Sequence, residues 1–139
     1  MKKLLIATAI AGASLTAWAA GVSDITTITA DTPYIVCDGS VAGSGKTNVM
    51  GGPGAVVTNP VAFTAAGFAI QCSNNVHMSI NEASATLAVV GSASAKGNQF
   101  FGGHTNGGSV TAGGKCAADP CGTADVTSAL DKAKTDASS

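Results

Sequence analysis

Apolar and polar residues alternate most regularly over residues 68–80. Two runs place an apolar side chain at every second position: Phe68, Ile70 and Cys72, followed by Val76, Met78 and Ile80. A period of two is typical of strands with one buried face. The joining residues 73–75 are Ser-Asn-Asn, and asparagine tolerates the left-handed backbone that a tight loop requires. The pattern therefore predicts a β-hairpin with one apolar face.

Shorter patterns on either side predict further strands. They lie at residues 34–37, 55–58, 61–65, 83–89 and 109–112. The last of these is predicted to pair with the segment around Phe100 in a hairpin whose tip is Asn106–Gly107. Residues 38–54 are rich in Gly, Ser and Asn and are predicted to form a long loop, and residues 91–98 a turn region of small residues.

The C-terminal residues 123–139 predict a short helix and a tail. Apolar residues recur at helical spacing along one side: Val126, Ala129, Leu130 and Ala133. Thr123 or Asp125 is the predicted cap, and residues 135–139 are predicted to fray. Because the apolar side is small, we expect the helix to dock only marginally.

Composition favours strands over helices. Between residues 20 and 139, Val, Ile and Thr number 30, whereas Leu occurs only twice. β-Branched residues suit the pleated surface of a sheet. Leu, Ile, Val and Phe together number 23 there, so the core is thin. We therefore predict an all-β fold, a small disulfide-linked β-sandwich or partly open barrel of about six to eight strands with a short C-terminal helix.

The first residues have the pattern of an export signal. Two lysines precede an apolar run that is too short to span a bilayer, and Ala17-Trp18-Ala19 is a small-x-small cleavage site. We predict a signal peptide over residues 1–19 and a single secreted β-domain over residues 20–139. A retained N-terminal anchor is the alternative. We expect a secreted or cell-surface location, with the periplasm as another destination.

Charge limits the partners of the predicted domain. Residues 20–139 contain five lysines, no arginine and eight carboxylates, which gives a net charge near −3. The lysines are scattered, so no basic stripe follows a phosphate backbone, and nucleic acid is not an expected partner. No stretch of this segment is long and apolar enough to predict a membrane span.

Four cysteines in an exported chain predict disulfide bonds. Cys37, Cys72, Cys116 and Cys121 allow three pairings. We favour Cys37 with Cys72 and Cys116 with Cys121, because the second pair brackets the turn-forming sequence Ala-Ala-Asp-Pro. In a domain with so thin a core, such links contribute a large share of the stability.

Residues 20–31 allow two interpretations. The segment is rich in β-branched residues, but its apolar residues do not alternate strictly. As an edge strand it would pair within its own domain. As a free arm it would complete the sheet of a neighbouring copy.

No motif predicts catalysis, a cofactor or a metal. Residues 40–47 imitate a phosphate-binding loop, but the first glycine is replaced by Ser40. His77 and His104 are predicted to be solvated, since His77 falls on the polar parity of its strand and His104 lies in a glycine-rich loop. Cys116 and Cys121 have four residues between them where redox motifs have two, which favours a structural staple. We therefore expect that the protein is not an enzyme.

Exposed apolar residues are the candidates for self-association. Phe100 and Phe101 lie beside a glycine tract, where they could form a contact patch. The alternative places one of them in the core and the other at a strand end. Ile25 and Ile28 of the N-terminal segment are the other candidates.

Residues 68–80, together with Cys37, resemble the corresponding region of immunoglobulin-like pilin and spore-coat-type fibre subunits. In both, a strand ends on a cysteine before a polar turn. The resemblance covers 13 residues and Cys37, and the terminal strand of those families is not evident here. Small side chains, the abundance of Thr, Asn and Gly, few charges, disulfides and a possible free arm suit repeated subunit packing. We therefore predict a secreted, non-catalytic structural subunit that assembles into a bacterial surface filament or extracellular matrix. The alternative is a monomeric periplasmic or secreted binding module, such as a ligand carrier or inhibitor, that uses the glycine loops near His104.

Overall fold

The computed structural model of the protein describes residues 23–41, 45–60 and 62–139. These residues form seven strands and one helix: β1 (Pro33–Cys37), β2 (Gly45–Val49), β3 (Phe68–Cys72), β4 (Val76–Ser84), β5 (Leu87–Ser94), β6 (Gln99–His104), β7 (Thr111–Lys115) and α1 (Thr123–Ala137). The predicted β-rich fold with a short C-terminal helix is confirmed. The predicted signal peptide lies outside the described residues.

The strands form two open antiparallel sheets. The large sheet has the order β1-β4-β5-β6-β7, and the small sheet pairs β2 with β3. The small sheet packs on one face of the large sheet, and α1 packs on the other. The arrangement is an incomplete sandwich rather than a closed barrel.

The prediction that residues 68–80 form a hairpin is wrong, although both strands exist. β3 pairs with β2, whereas β4 pairs with β1 and β5. The turn at residues 74–75, where Asn75 has φ 65°, carries the chain from one sheet to the other. The apolar sides of the two strands therefore face each other across the core. Alternation identified the buried sides but not the neighbouring strands.

The core between the sheets involves only part of the large sheet. Its buried members are Ile25, Ile28, Val36, Cys37, Val49, Met50, Cys72 and Ile80. All members from the large sheet lie on β1 or β4. Cys37 and Cys72 form a disulfide that links the two sheets, with Cα atoms 5.5 Å apart. The favoured pairing is confirmed here and for Cys116 with Cys121.

Strand β2 lies within the predicted loop at residues 38–54, and that prediction is wrong for residues 45–49. Thr47 is completely buried in the strand, and its hydroxyl donates a hydrogen bond of 2.7 Å to the carbonyl oxygen of Val36. Burial of a hydroxyl that has a hydrogen-bond partner costs the folded protein little free energy. A polar residue therefore occupies a core position, which removes the alternation that would have indicated a strand.

Helix α1 docks closely, contrary to the prediction of marginal docking. Val126, Ala129, Leu130 and Ala133 are at most 3% exposed. Glycines in the sheet allow this approach, since a Cβ atom on Gly91 would lie 2.6 Å from the carbonyl oxygen of Val126. Gly91 lies within β5, which continues to Ser94 through the predicted turn at residues 91–98. Small residues on both surfaces therefore replace the large apolar side that the helix lacks.

The helix begins after Gly122 rather than at a capping Thr123. Asp125 acts from the third helical position: its carboxylate accepts hydrogen bonds from the backbone N–H groups of Gly122 at 2.8 Å and Ala117 at 2.7 Å. The helix extends to Ala137, so most of the predicted frayed tail is helical. The short Cys116–Cys121 disulfide precedes this cap and fixes the entry of the chain into α1.

Candidate assembly surface

The face of the large sheet opposite α1 is only half covered by the residues that the structure describes. Four apolar side chains on or beside the uncovered half are substantially exposed: Phe63 (39%), Val90 (37%), Phe101 (40%) and Val110 (72%). We call these four residues the open patch. They come from β5, β6 and the two loops at residues 62–66 and 105–110, which are distant in sequence.

Strand register places the members of the open patch side by side. Val90 pairs with Gly103, and Ser92 pairs with Phe101, so Val90 and Phe101 are diagonal neighbours on one face. A Cβ atom on Gly103 would lie 3.2 Å from Val110 Cγ2, so Val110 covers that glycine. The apolar surface is therefore continuous from β5 to the β6–β7 loop.

A cleft of about 190 Å³ opens beside Val90. Its lining comes from the loop before β3 and from β3, β4 and β5: Phe63, Thr64, Phe68, Ile80, Asn81, Glu82, Ala88, Val89 and Val90. We call it the Glu82 cleft. Phe63 and Val90 belong both to this cleft and to the open patch, so the hollow and the exposed surface adjoin.

Glu82 is buried at one side of the cleft, with 2% of its surface exposed. Its carboxylate accepts a hydrogen bond of 2.7 Å from the backbone N–H of Phe63 and a second from the hydroxyl of Thr64. These bonds provide the buried carboxyl group with hydrogen-bond partners and fix the position of the Phe63 loop. The cleft therefore has a fixed wall, and its carboxylate already has donors.

The uncovered face carries no charged side chain on the described strands β5 and β6. Its residues there are Ala88, Val90, Ser92, Ser94, Gln99, Phe101 and Gly103. Lys115 of β7 pairs with Gln99 at the margin. A partner would therefore cover this face without desolvating an ion pair.

The structure separates the four predicted self-association residues. Phe101 belongs to the open patch, whereas Phe100 points to the helix side and is 9% exposed. This agrees with the alternative that places one phenylalanine in the core. Ile25 and Ile28 are 8% and 3% exposed and belong to the core between the sheets. Prediction from sequence missed Phe63, Val90 and Val110, although the adjacent valines at 89 and 90 indicated a strand that is apolar on both faces.

The described part of the N-terminal segment packs into its own domain. Ile25 forms a parallel bridge to Val49, and its backbone N–H donates to the carbonyl oxygen of Asn48 at 2.9 Å. At the end of the segment, Asp31 has φ 57°, and the Nζ of Lys134 on α1 lies 2.5 and 2.6 Å from its two carboxylate oxygens. This contact holds the pKa of Asp31 below its usual range. The ion pair thus connects the N-terminal segment to α1.

The prediction that His77 is solvated is wrong. It is 3% exposed, and its Nδ1 accepts a hydrogen bond from the backbone N–H of Gly39 at 3.1 Å and lies 3.4 Å from Asp38 Oδ1. Hydrogen bonds from Ser40, with a smaller contribution from His77, hold the pKa of Asp38 below its usual range. The polar parity of β4 is buried because α1 lies against that face.

His77 and His104 do not form a shared site. Both lie on the helix side of the sheet, but the register separates their positions by four residues along the strands and by two strands, roughly 16 Å. His104 is half-buried, and its Nδ1 has no hydrogen-bond partner among the described residues. Neither histidine lines the Glu82 cleft or a second cleft of about 160 Å³ between residues 26–28 and 56–59.

Cys116, Cys121 and Asp125 bring their ligand-type atoms within 4.8 Å of one another. The two sulfur atoms are bonded to each other, so neither is available as a thiolate ligand. Both oxygens of Asp125 accept backbone N–H groups. This cluster is therefore explained as a staple and a helix cap.

Within the described residues, no helix has the length and apolar character needed to cross a membrane. No protein-family model, curated protein or solved structure matches the chain. The proposed function below is accordingly based on the surface itself.

Proposed function

We propose that the protein is a secreted, non-catalytic structural subunit that associates with copies of itself through the open patch. The assembly would be a bacterial surface filament or an extracellular matrix. The observation that carries the proposal is the uncovered face of β5 and β6, which has no charged side chain and exposes Phe101 and Val90 side by side.

The physical argument starts from the sheet. An apolar sheet face is stable in water when another layer covers it. Here the small sheet covers the face of β1 and β4, and the same face of β5 and β6 has no second layer among the described residues. Contiguous exposed apolar surface of this kind marks an interaction site more often than scattered apolar residues do.

The proposed location outside the cytoplasm is supported by two features. The first 19 residues have the basic, apolar and small-residue order of an export signal. All four cysteines form disulfides, which persist in oxidising compartments. A strand-rich domain that is cross-linked in this way suits a structural material outside the cell.

The proposal is tested by measuring assembly of the purified, oxidised protein. Sedimentation velocity over a wide concentration range should show association, and electron microscopy should show regular fibres or sheets. Phe101→Lys should abolish both, because it places a charge in the centre of the patch. Val56→Lys is the matched control, since Val56 is 82% exposed and lies outside the patch. A wild-type protein that stays monomeric at the highest concentration would overturn the proposal.

The Glu82 cleft favours a second candidate, a monomeric binding module for a small apolar ligand. Ligand sites are typically concave and apolar with a few polar groups. This function predicts saturable binding of an apolar dye such as anilinonaphthalene sulfonate to a monomer, and loss of binding in Ala88→Leu, which would fill the cleft. Dye binding that disappears as the protein associates would favour the structural subunit instead.

A further inference from the structure

The open patch and the adjoining Glu82 cleft place a projection and a hollow on opposite sides of Val90. Phe101 projects from β6 on one side, two residues before the partner of Val90. The Glu82 cleft lies on the other side, over Ala88 and Ile80. In the strand register, Phe101 and Glu82 each lie one strand and two residues from Val90, in opposite directions. A surface with a projection and a hollow placed in this way on either side of one residue is complementary to a second copy of itself.

We propose that two copies pair about a two-fold axis at Val90, with Phe101 of each copy inserted into the Glu82 cleft of the other. This inference rests on the proposed function and specifies its first contact. The axis lies midway between the large sheet of one copy and the large sheet of the other, parallel to both. It is perpendicular to the line that joins Phe101 to the Glu82 cleft within one copy. Rotation about it places each phenylalanine over the opposite cleft and brings the two Val90 side chains together.

The chemistry of the cleft suits a phenylalanine ring. The cleft volume of about 190 Å³ accommodates one aromatic side chain, and its walls include Phe63, Phe68 and Ile80. The Glu82 carboxylate is already paired with Phe63 N–H and Thr64, so the ring does not displace water from an unpaired charge. Offset packing of the ring against Phe63 adds a favourable aromatic contact.

The size of the contact predicts its strength. The uncovered face of β5 and β6 spans two strands and about five residues, roughly 10 by 17 Å. This area is below the roughly 800 Å² that each partner buries in a standard interface, so we expect a weak dimer. A two-fold contact closes on itself, so a filament also requires a second contact, for which the open edges of β3 and β7 are available.

A single cysteine at the axis tests the arrangement. The described chain has no free cysteine, so Val90→Cys introduces one reactive thiol in a protein with both disulfides intact. Under mild oxidation this variant should form a covalent dimer at least about tenfold faster than Val56→Cys, because pairing raises the effective thiol concentration. Circular dichroism should show that both variants are folded. Equal rates for the two variants would overturn the two-fold arrangement.

A second change separates this inference from the proposed function. Adding Phe101→Ala to Val90→Cys should slow dimer formation to the Val56→Cys rate, because the projection is lost. If the wild type associates in sedimentation but Val90→Cys does not cross-link, the two-fold contact is wrong and self-association stands. If the wild type does not associate at any concentration, both proposals fail.

We also infer, from a separate feature, that Asn106 is a site of spontaneous deamidation. It is the only asparagine in the chain that precedes glycine, and both residues are exposed in the β6–β7 loop. Gly107 has φ 93°, and a Cβ atom there would meet nothing within 4 Å, so the loop leaves room for reaction. The backbone nitrogen of Gly107 attacks the side-chain carbonyl carbon of Asn106, a C–N bond forms, ammonia leaves, and water opens the imide to aspartate or isoaspartate.

Deamidation would alter the contact between this loop and α1. Asn106 Nδ2 donates a hydrogen bond of 3.1 Å to the carbonyl oxygen of Ala137, at the negative end of the helix. A carboxylate at this position repels that oxygen. Peptide mapping of aged protein should show the mass change from amide to acid at Asn106 but not at the exposed control Asn98, and Asn106→Asp should speed amide exchange at the end of α1. Equal conversion at both asparagines, or unchanged exchange, would contradict the inference.

Discussion

The two faces of the large sheet are covered in different ways. On one face, α1 lies so close that Gly91 and Gly102 have no room for a side chain. On the other, a two-stranded sheet covers β1 and β4, and a disulfide links it there, while Val90 and Phe101 are left exposed. Residues 23–41, 45–60 and 62–139 therefore cover the first face closely and the second only in part.

This difference shows that close contact does not require large apolar residues. The helix side uses alanine against glycine, and it gains stability from the closeness of two backbones. The side with the small sheet contains larger residues and a cross-link, yet it leaves apolar surface in water. The second face is thus partly uncovered because the small sheet has only two strands in the described part of the chain, and not because apolar side chains are lacking.

Loss of the Cys37–Cys72 bond should have the largest effect on stability. In the chain-entropy treatment, a link across 35 residues stabilises the fold by roughly 4 kcal/mol, whereas the Cys116–Cys121 link across 5 residues contributes roughly 2 kcal/mol. Urea unfolding of Cys37→Ala/Cys72→Ala and of Cys116→Ala/Cys121→Ala should reproduce this order. Equal losses would show that the small sheet does not depend on its covalent link.

Adjacent glycines on β6 allow the two faces to be compared directly. Gly102→Ala should destabilise the protein by about 2 to 3 kcal/mol, because its Cβ atom would lie 2.7 Å from the carbonyl oxygen of Ala129. Gly103→Ala should change stability by less than about 0.5 kcal/mol, since the close contact of its Cβ, at 3.2 Å, is with Cγ2 of the exposed Val110, which can move aside. The same urea experiment measures both. A loss for Gly102→Ala as small as that for Gly103→Ala would mean that α1 can move away from the sheet to accept a methyl group.

A substitution at Asp125 tests how the N-terminal end of α1 is stabilised. Hydrogen bonds from the backbone N–H groups of Gly122 and Ala117 hold the pKa of Asp125 below its usual range. Asp125→Asn should cost about 1 to 2 kcal/mol at pH 7. Because the folded pKa is lowered, this contribution is complete above the unfolded value of about 3.9 and is lost as the pH falls through the folded pKa. The stabilities of the variant and the wild type should therefore converge in acid, and a difference that stays constant down to the lowest pH would contradict this role of Asp125.

Substitutions of the two neighbouring valines on β5 should give the smallest difference in stability. Val89 is completely buried under α1, and Val90 is 37% exposed in the open patch. Val89→Thr should destabilise by about 1 kcal/mol, because a hydroxyl is buried, whereas Val90→Thr should change stability by less than about 0.5 kcal/mol. Thermal unfolding of dilute protein measures both. A large loss in Val90→Thr under these conditions would indicate that the patch is covered within the monomer.

The sequence contained enough information for the buried sides of the strands but not for their neighbours. The alternation through Ile70 and Met78 correctly indicated two half-buried strands, and cysteine spacing correctly indicated both disulfides. Alternation is the same for strands that pair and for strands that face each other. For this reason the turn at Asn75 was predicted to close a hairpin, although it connects two sheets.

The open patch and the helix contact could not be predicted because both depend on distant residues. Gly91 and Gly102 indicate turns when each is considered alone, and their role emerges only when β5 and β6 are neighbours under α1. Val90 and Phe101 have the same apolar character as core residues. Their exposure follows from where the small sheet stops, and no local pattern encodes that.

The ion pair between Asp31 and Lys134 joins positions 103 residues apart. Asp31 ends the N-terminal segment, and Lys134 lies in the last turns of α1. Any process that releases the first residues of the domain, including transfer of that segment to a neighbour, must also detach it from the C-terminal helix, and added salt should make that step easier.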